Sequence, residues 1–257
     1  MNRLELKQVQ HSVQVGDNCE YKEPNILEDT LFVQDGELVG FFLKNITGRL
    51  KDLIEIANNE FRSDNVPKST MVRASGVEQY STIIGSVPPK PHLRRPYPSI
   101  SSVHNTKSAR TFIKAMLGAC REAENVVADI MPEQFAKQCE LIKQNVPEKY
   151  RFGRMFTSSI NNYNISAPFH RDTANIKGCV NVIINKKKNV RGGDLHVPDY
   201  NATMDGDNNS MLVYPAWRNV HGVTPITPTK EGGYRNSLVF YPLNSFKNVA
   251  ENGQNGH

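Results

Sequence analysis

Beyond Arg151 the chain breaks into short β-prone runs, Met155 to Tyr163, Cys179 to Ile184, Asp194 to Val197, Ser210 to Tyr214 and Ser237 to Tyr241, separated by Gly, Pro and Asn. Regularly spaced strands of this length, punctuated by turn residues, bury their apolar faces by closing into a sandwich or jelly roll. The residues before Arg151 read differently. From Ile46 to Phe61, Ile46, Leu50, Leu53, Ile54, Ala57 and Phe61 fall at helical spacing, with Lys51, Asp52 and Glu55 on the other side. Thr106 to Val127 predicts the longest helix, its buried stripe formed by Phe112, Ile113, Met116, Leu117, Cys120 and Ala123. A shorter helix opens at Pro132 and ends before Pro147. Residues 31–43 predict a hairpin, because Asp35-Gly36 supplies the positive φ angles of a two-residue turn. The expected fold class is therefore α+β: a double-stranded β-helix (jelly roll or cupin-like) core with the N-terminal helices packed on its larger sheet.

A chain of 257 residues can bury such a core as one domain. The expected division is a hairpin and helical support region over 1–150, the β-helix core over 151–243, and a flexible tail over 244–257. No 18 apolar residues run together and no charged segment with an apolar stretch opens the chain, which argues against membrane spanning and secretion. The four cysteines, Cys19, Cys120, Cys139 and Cys179, show no C-x-x-C pairing, as suits a reducing compartment. The expectation is a cytoplasmic monomer, with Cys179 a buried thiol.

Charge placement says more than the net charge of +5. Residues 86–121 hold seven Lys or Arg and no acid, and residues 151–191 hold eight against the single acid Asp172. Such runs suit a polyanion such as nucleic acid, although solvated surface charge spread over several faces explains them equally well. Within the first run lies the Pro-rich segment Pro88 to Pro98, where repeated proline forbids helix and favours an extended path. Lys90, Arg94 and Arg95 on that loop can grip phosphates while Tyr97 stacks a base, although a Pro-rich connector more often just spans a surface. Lys186, Lys187, Lys188 and Arg191, expected in a hairpin loop, are further candidates for a phosphate clamp.

The chemistry is carried by three motifs. His170 and Asp172 are two residues apart, so on a β-strand both side chains project to one face. His221 follows 49 residues after Asp172, with Val220 and Val223 around it. Two imidazoles and one carboxylate suit Fe(II) and leave positions open for a cosubstrate and dioxygen. Arg235, 14 residues beyond His221, supplies a fork for the distal carboxylate of 2-oxoglutarate, and Ser237, on the same strand face, adds a hydroxyl. His196 stands apart on a separate strand and reads as structural, while His92 and His104 fall in loops.

These runs, His170-Arg171-Asp172-Thr173-Ala174-Asn175, Gly192-Gly193-Asp194-Leu195, Gly206-Asp207, His221-Gly222-Val223-Thr224-Pro225 and Arg235-Asn236-Ser237-Leu238-Val239-Phe240-Tyr241, together resemble the TET/JBP family of nucleobase dioxygenases, particularly its small phage and microbial members, over residues 151–243. The resemblance implies an Fe(II)/2-oxoglutarate dioxygenase that oxidises the 5-methyl group of a pyrimidine in DNA, with Asn175 near the target base. Cytosine and thymine both stay open as targets, and a viral member would work in a host cytoplasm. The cysteine-rich zinc-binding extension of animal members is lacking. A 2-oxoglutarate hydroxylase of a protein side chain or free nucleoside, and a non-catalytic nucleic-acid-binding jelly roll, are the competing readings.

Overall fold

The computed structural model of the protein describes residues 1–71 and 78–246. The N-terminal part supplies strands β1 (Asn2–Glu5), β2 (Thr30–Gln34), β3 (Glu37–Leu43), β4 (Ser69–Met71), β5 (Gln79–Val87) and β6 (Ser99–Ile100) and helices α1 (Gly48–Arg62), α2 (Arg110–Ile130) and α3 (Pro132–Asn145). The C-terminal part runs through β7 (Ser158–Tyr163), β8 (Ala167–His170), β9 (Asn181–Lys188), β10 (Val190–Gly192), β11 (Leu195–Val197), β12 (Ala202–Met204), β13 (Met211–Tyr214), β14 (His221–Val223), β15 (Ile226–Pro228) and β16 (Tyr234–Tyr241).

The strands form a large sheet in the order β1-β2-β3-β13-β9-β16-β7-β5-β4, with β6 paired to β5, and a smaller one in the order β12-β11-β14-β8; β10 and β15 pair separately. The β-hairpin of β2 and β3 turns at Asp35 and Gly36, both at positive φ as the turn requires, and joins the large sheet through β3 and β13. Helices α1 and α2 cover one face of that sheet. Ile54, Phe61, Phe112 and Met116 share a core there with Val182, Ile184, Leu238 and Phe240. This is the expected jelly-roll arrangement with helices on the larger sheet.

The departures have physical causes. Leu117 is 45% exposed instead of buried, because Phe112, Met116, Ala119, Cys120, Ala123 and Val127 centre the stripe one residue away from it. Glu124 occupies a buried position on that helix, where its Oε1 accepts from the backbone N–H groups of Arg154 and Met155 and its Oε2 from Arg154 Nε at 2.9 Å. The Pro-rich segment is not simply extended. Pro91–Leu93 makes a 3₁₀ turn, Arg94 takes a left-handed φ of 56°, and Lys90 and Arg95 pair across the base. Near the C-terminus Phe246 is fully buried and stacks on Tyr150 at 5.2 Å, so the expected frayed tail does not begin at Asn244; residues 247–257 lie outside the described residues.

Lys186 and Lys187 also leave their expected place. β9 is a central strand between β13 and β16, so alternation sends successive side chains into opposite interiors. Lys186 turns to α1, where Nζ lies 2.6 Å from Glu55 Oε2 and 2.8 Å from Asn209 Oδ1. Lys187 turns between the sheets to Asp194, 3.1 Å away. Neither is free to clamp a phosphate. Among the described residues no helix is long and apolar enough to cross a membrane.

Candidate active site

The inner face of the large sheet and the small sheet enclose a cavity of about 420 Å³, within the range of small-molecule sites. Alternation along β16 brings Arg235, Ser237, Val239 and Tyr241 to its wall, while β9 contributes Asn181 and Ile183.

His170 ends β8 and lies in register with His221 at the start of β14. Their ring centroids are 4.3 Å apart. Asp172 follows in a turn that closes with the Asn175 N–H donating to the Asp172 carbonyl at 2.9 Å. One ligand atom from each of His170, Asp172 and His221 lies within 4.8 Å of the others. Asp172 Oδ1 is 3.6 Å from His170 Nε2 and 4.0 Å from His221 Nε2. Both Nδ1 atoms face main-chain carbonyls, that of His170 at Pro168 O, 2.8 Å, and that of His221 at Asn219 O, 3.0 Å. A carbonyl only accepts, so each Nδ1 carries the proton and each Nε2 presents a lone pair to the shared space. Burial, helped by neighbouring His170, pushes the His221 imidazole down to about 4, so it is neutral at physiological pH. The donor set, its tautomers and its open side fit a divalent cation of the Fe(II) type.

At the other end of the cavity Arg235 is 3% exposed. Nη2 donates to Asn185 Oδ1 at 2.8 Å and Nη1 to Ser237 Oγ at 3.2 Å, whereas the buried Nε has no partner. Burial pulls the guanidinium down to about 10, still charged at neutral pH. It forms no carboxylate ion pair among the described residues. A buried cationic fork with an orphaned donor fits a ligand carboxylate. Gly193 makes room for it: a Cβ there would stand 2.9 Å from Arg235 Cδ, and the backbone is at φ +74°.

The model of the Tet/JBP family, the oxygenase domain of the 2OGFeDO superfamily, matches residues 90–244. The chain belongs to this family. Its members' chemistry brings Fe(II), 2-oxoglutarate and dioxygen, and the protein is a dioxygenase of the TET/JBP type. The match reaches further upstream than the motifs alone, taking in the Pro-rich basic segment, α2 and α3. The solved structure of NgTET1 in complex with 5mC DNA superposes with a TM-score of 0.60 at 12% identity, covering 91% of this chain and 84% of that one. A 2OG-Fe(II) oxygenase family protein from Burkholderia pseudomallei gives 0.45 at 15% identity over 81% of this chain and 86% of its own. A prolyl hydroxylase from Trichoplax adhaerens, bound to a hypoxia inducible factor peptide, gives 0.44 at 14% identity over 82% and 86%. No curated protein matches the chain in sequence.

The remaining sequence candidates divide. Asn175 lines the cavity and is buried, its Nδ2 donating to Asn181 Oδ1 at 2.8 Å. Lys90 is half-buried while Arg94, Arg95 and Tyr97 are exposed, Tyr97 at 70%. Gly85, Ser158 and Tyr241 align across β5, β7 and β16, so the Pro-rich segment leaves the large sheet at the end where Tyr241 borders the cavity. His104 accepts from the Gly85 N–H at 2.9 Å and His196 bonds Thr203 at 2.8 Å, both inside the fold. Sequence reasoning missed Asn181, Asn185, Tyr214 and Tyr241 as lining or supporting groups. The signal for the two asparagines was present: they flank the apolar run Val182-Ile183-Ile184 at positions that share one strand face with Ile183.

Proposed function

We propose that this protein oxidises the 5-methyl group of a pyrimidine flipped out of DNA, 5-methylcytosine to 5-hydroxymethylcytosine being the reaction it fits best. The observation that carries the reading is one cavity lined by three chemically distinct parts: the buried Arg235 fork, the His170–Asp172–His221 cluster, and Asn175. The likeness to NgTET1, whose structure holds 5mC DNA, supports the substrate class. In this reading residues 1–150 support a catalytic core over 151–243 within one dioxygenase domain.

His170 and His221 bind Fe(II) through Nε2 and Asp172 binds it through a carboxylate oxygen. Arg235 and Ser237 hold the distal carboxylate of 2-oxoglutarate, orienting its reactive end toward the triad. Fe(II), 2-oxoglutarate and dioxygen together supply the oxidant that converts a methyl C–H to C–OH, with succinate and carbon dioxide as coproducts. The metal end of the cavity is open, with the His170 and Asp172 side chains 39% and 32% exposed, which leaves a path for the substrate. A methyl on a stacked base cannot enter such a cavity, so the base must leave the helix.

Asn181 donates through Nδ2 to Asp172 Oδ2 at 2.9 Å, so its oxygen faces Asn175 and engages one hydrogen of Asn175 Nδ2. Asn175 retains Oδ1, an acceptor, and its second Nδ2 hydrogen, a donor, so it can serve the exocyclic amine of cytosine or the O4 of thymine. Asn175→Ala is expected to cut base oxidation more than uncoupled succinate formation. Assaying both products from one reaction checks this, and equal losses would remove Asn175 from the base.

Lys90, Arg94 and Arg95 on the Pro-rich segment contact phosphates in this reading, with Tyr97 available for stacking. The test is the salt dependence of binding to a 5-methylcytosine duplex. Arg94→Ala and Arg95→Ala should each reduce the slope of log K against log salt by about 1. Lys186→Ala should leave the slope unchanged and instead lower the melting temperature, because Lys186 serves an internal ion pair. A slope unaffected by both arginines would remove the loop from the DNA interface.

A further inference from the structure

We propose that Asn181 is a positioning residue that holds the Asp172 carboxylate to coordination through one oxygen, keeping free the positions a chelating cosubstrate needs. The inference rests on the iron-site reading above. Asp172 Oδ1 is the atom turned to both imidazoles, at 3.6 Å and 4.0 Å. Oδ2 instead accepts from Asn181 Nδ2 at 2.9 Å. For both oxygens to face a metal, the carboxylate would have to rotate about Cβ–Cγ and abandon that bond.

The restraint is itself held firmly. Asn181 is 2% exposed and sits in β9 in register with Tyr214 of β13. Its Oδ1 accepts from Asn175 Nδ2 at 2.8 Å, and Asn175 is 4% exposed. Because a carboxylate only accepts, the two-amide chain has one polarity: nitrogen of Asn181 to Asp172, nitrogen of Asn175 to Asn181. The carboxylate side chain, by contrast, is 32% exposed and stands in a turn after the end of β8. Asn181 is its side-chain partner at Oδ2 among the described residues.

Coordination arithmetic gives the consequence. Three protein donors leave about three positions of an octahedral Fe(II) site, and chelation by 2-oxoglutarate takes two of them. A second oxygen from Asp172 would take one of those three while adding a bond to the metal. Loss of the Asn181 donor therefore weakens 2-oxoglutarate binding and spares metal binding.

Asn181→Leu keeps the size and removes the donor; Asn175→Ala keeps the donor and removes its anchor. Anaerobic titration of each protein without DNA gives Fe(II) affinity, and the visible charge-transfer absorption of the Fe(II)–2-oxoglutarate chelate gives cosubstrate affinity. Melting of the metal-free proteins confirms that they fold. Asn181→Leu should keep Fe(II) affinity within about threefold of wild type and lower 2-oxoglutarate affinity by about tenfold or more, the usual effect of removing a group that orients a metal ligand. Asn175→Ala should shift the same quantity in the same direction by less, and carries the test alone if Asn181→Leu does not fold. Equal loss of both affinities, or unchanged 2-oxoglutarate affinity, overturns the proposal. A wild-type protein that binds no Fe(II) overturns the iron-site reading beneath it.

Discussion

Asp172→Ala is expected to abolish 2-oxoglutarate turnover. Changes to groups that merely orient metal ligands cost about 10- to 100-fold, so removing a ligand should cost more than about 100-fold. Three features make Asp172 the most sensitive member of the triad. It supplies the one negative charge among the three donors. It faces both imidazoles, and its second oxygen anchors the Asn181–Asn175 chain. Its loss leaves His170 and His221 without a charged partner for a dication and frees the amide chain behind them. Fe(II) titration alongside succinate formation checks the result, both being expected to fail together. Retained turnover in Asp172→Ala would show that the metal is held elsewhere.

Arg235→Ala should act on the cosubstrate and leave the metal in place. The guanidinium is buried and charged and offers fork geometry to a carboxylate, whereas Arg171, which also borders the cavity, is exposed. Truncating one partner of a buried, hydrogen-bonded charge pair costs about 2–5 kcal/mol, equivalent to a rise in the KM for 2-oxoglutarate of roughly 30-fold or more. Fe(II) affinity should stay near wild type, since Arg235 lies at the end of the cavity beyond the triad. Arg235→Lys should recover part of the loss, restoring charge without the planar fork. Steady-state kinetics over a range of 2-oxoglutarate concentrations separates these outcomes. An unchanged KM in Arg235→Ala would place the cosubstrate carboxylate on another residue.

The proposed iron cluster and cosubstrate fork were legible in the sequence from residue type and spacing. Arg235 and Ser237 are two apart on β16, which turns them to one side; Asp172 was expected on the strand with His170 but stands in the turn after β8, and that turn, not alternation, brings it beside His170. The helices were legible from their apolar stripes, and Asp35-Gly36 announced its hairpin. Topology was harder. β1 and β5 carry little alternation to reveal them, and β8, β12 and β14 are three or four residues long, so their pairing depends on contacts distant in sequence. The lysine run misled for a related reason. Three consecutive cations suggest a solvated turn, yet in a central strand alternate positions must enter packed layers, where Glu55 and Asp194 receive them. The tail misled through composition: Asn and Gly dominate it, but Phe246 alone is enough to pin its beginning against Tyr150.

The Asn175–Asn181–Asp172 chain lies between these cases. Asn175 was visible as part of a motif, but the amide that orients it belongs to β9, six residues on and in another strand. Only the fold brings the two together. Once joined, they link the atom expected to meet the base with the carboxylate expected to meet the iron, so that substrate and metal ends of the cavity share one hydrogen-bonded support.

The most direct measurement is mass spectrometry of nucleosides from DNA carrying both 5-methylcytosine and thymine, after incubation with the purified protein, Fe(II), ascorbate, 2-oxoglutarate and oxygen. The expected product is 5-hydroxymethylcytosine, formed only when 2-oxoglutarate is present and absent with Asp172→Ala. Oxidation of thymine alone would contradict the 5-methylcytosine reading. Succinate production with neither base changed would contradict the DNA reading and direct attention to a protein or free-nucleoside substrate.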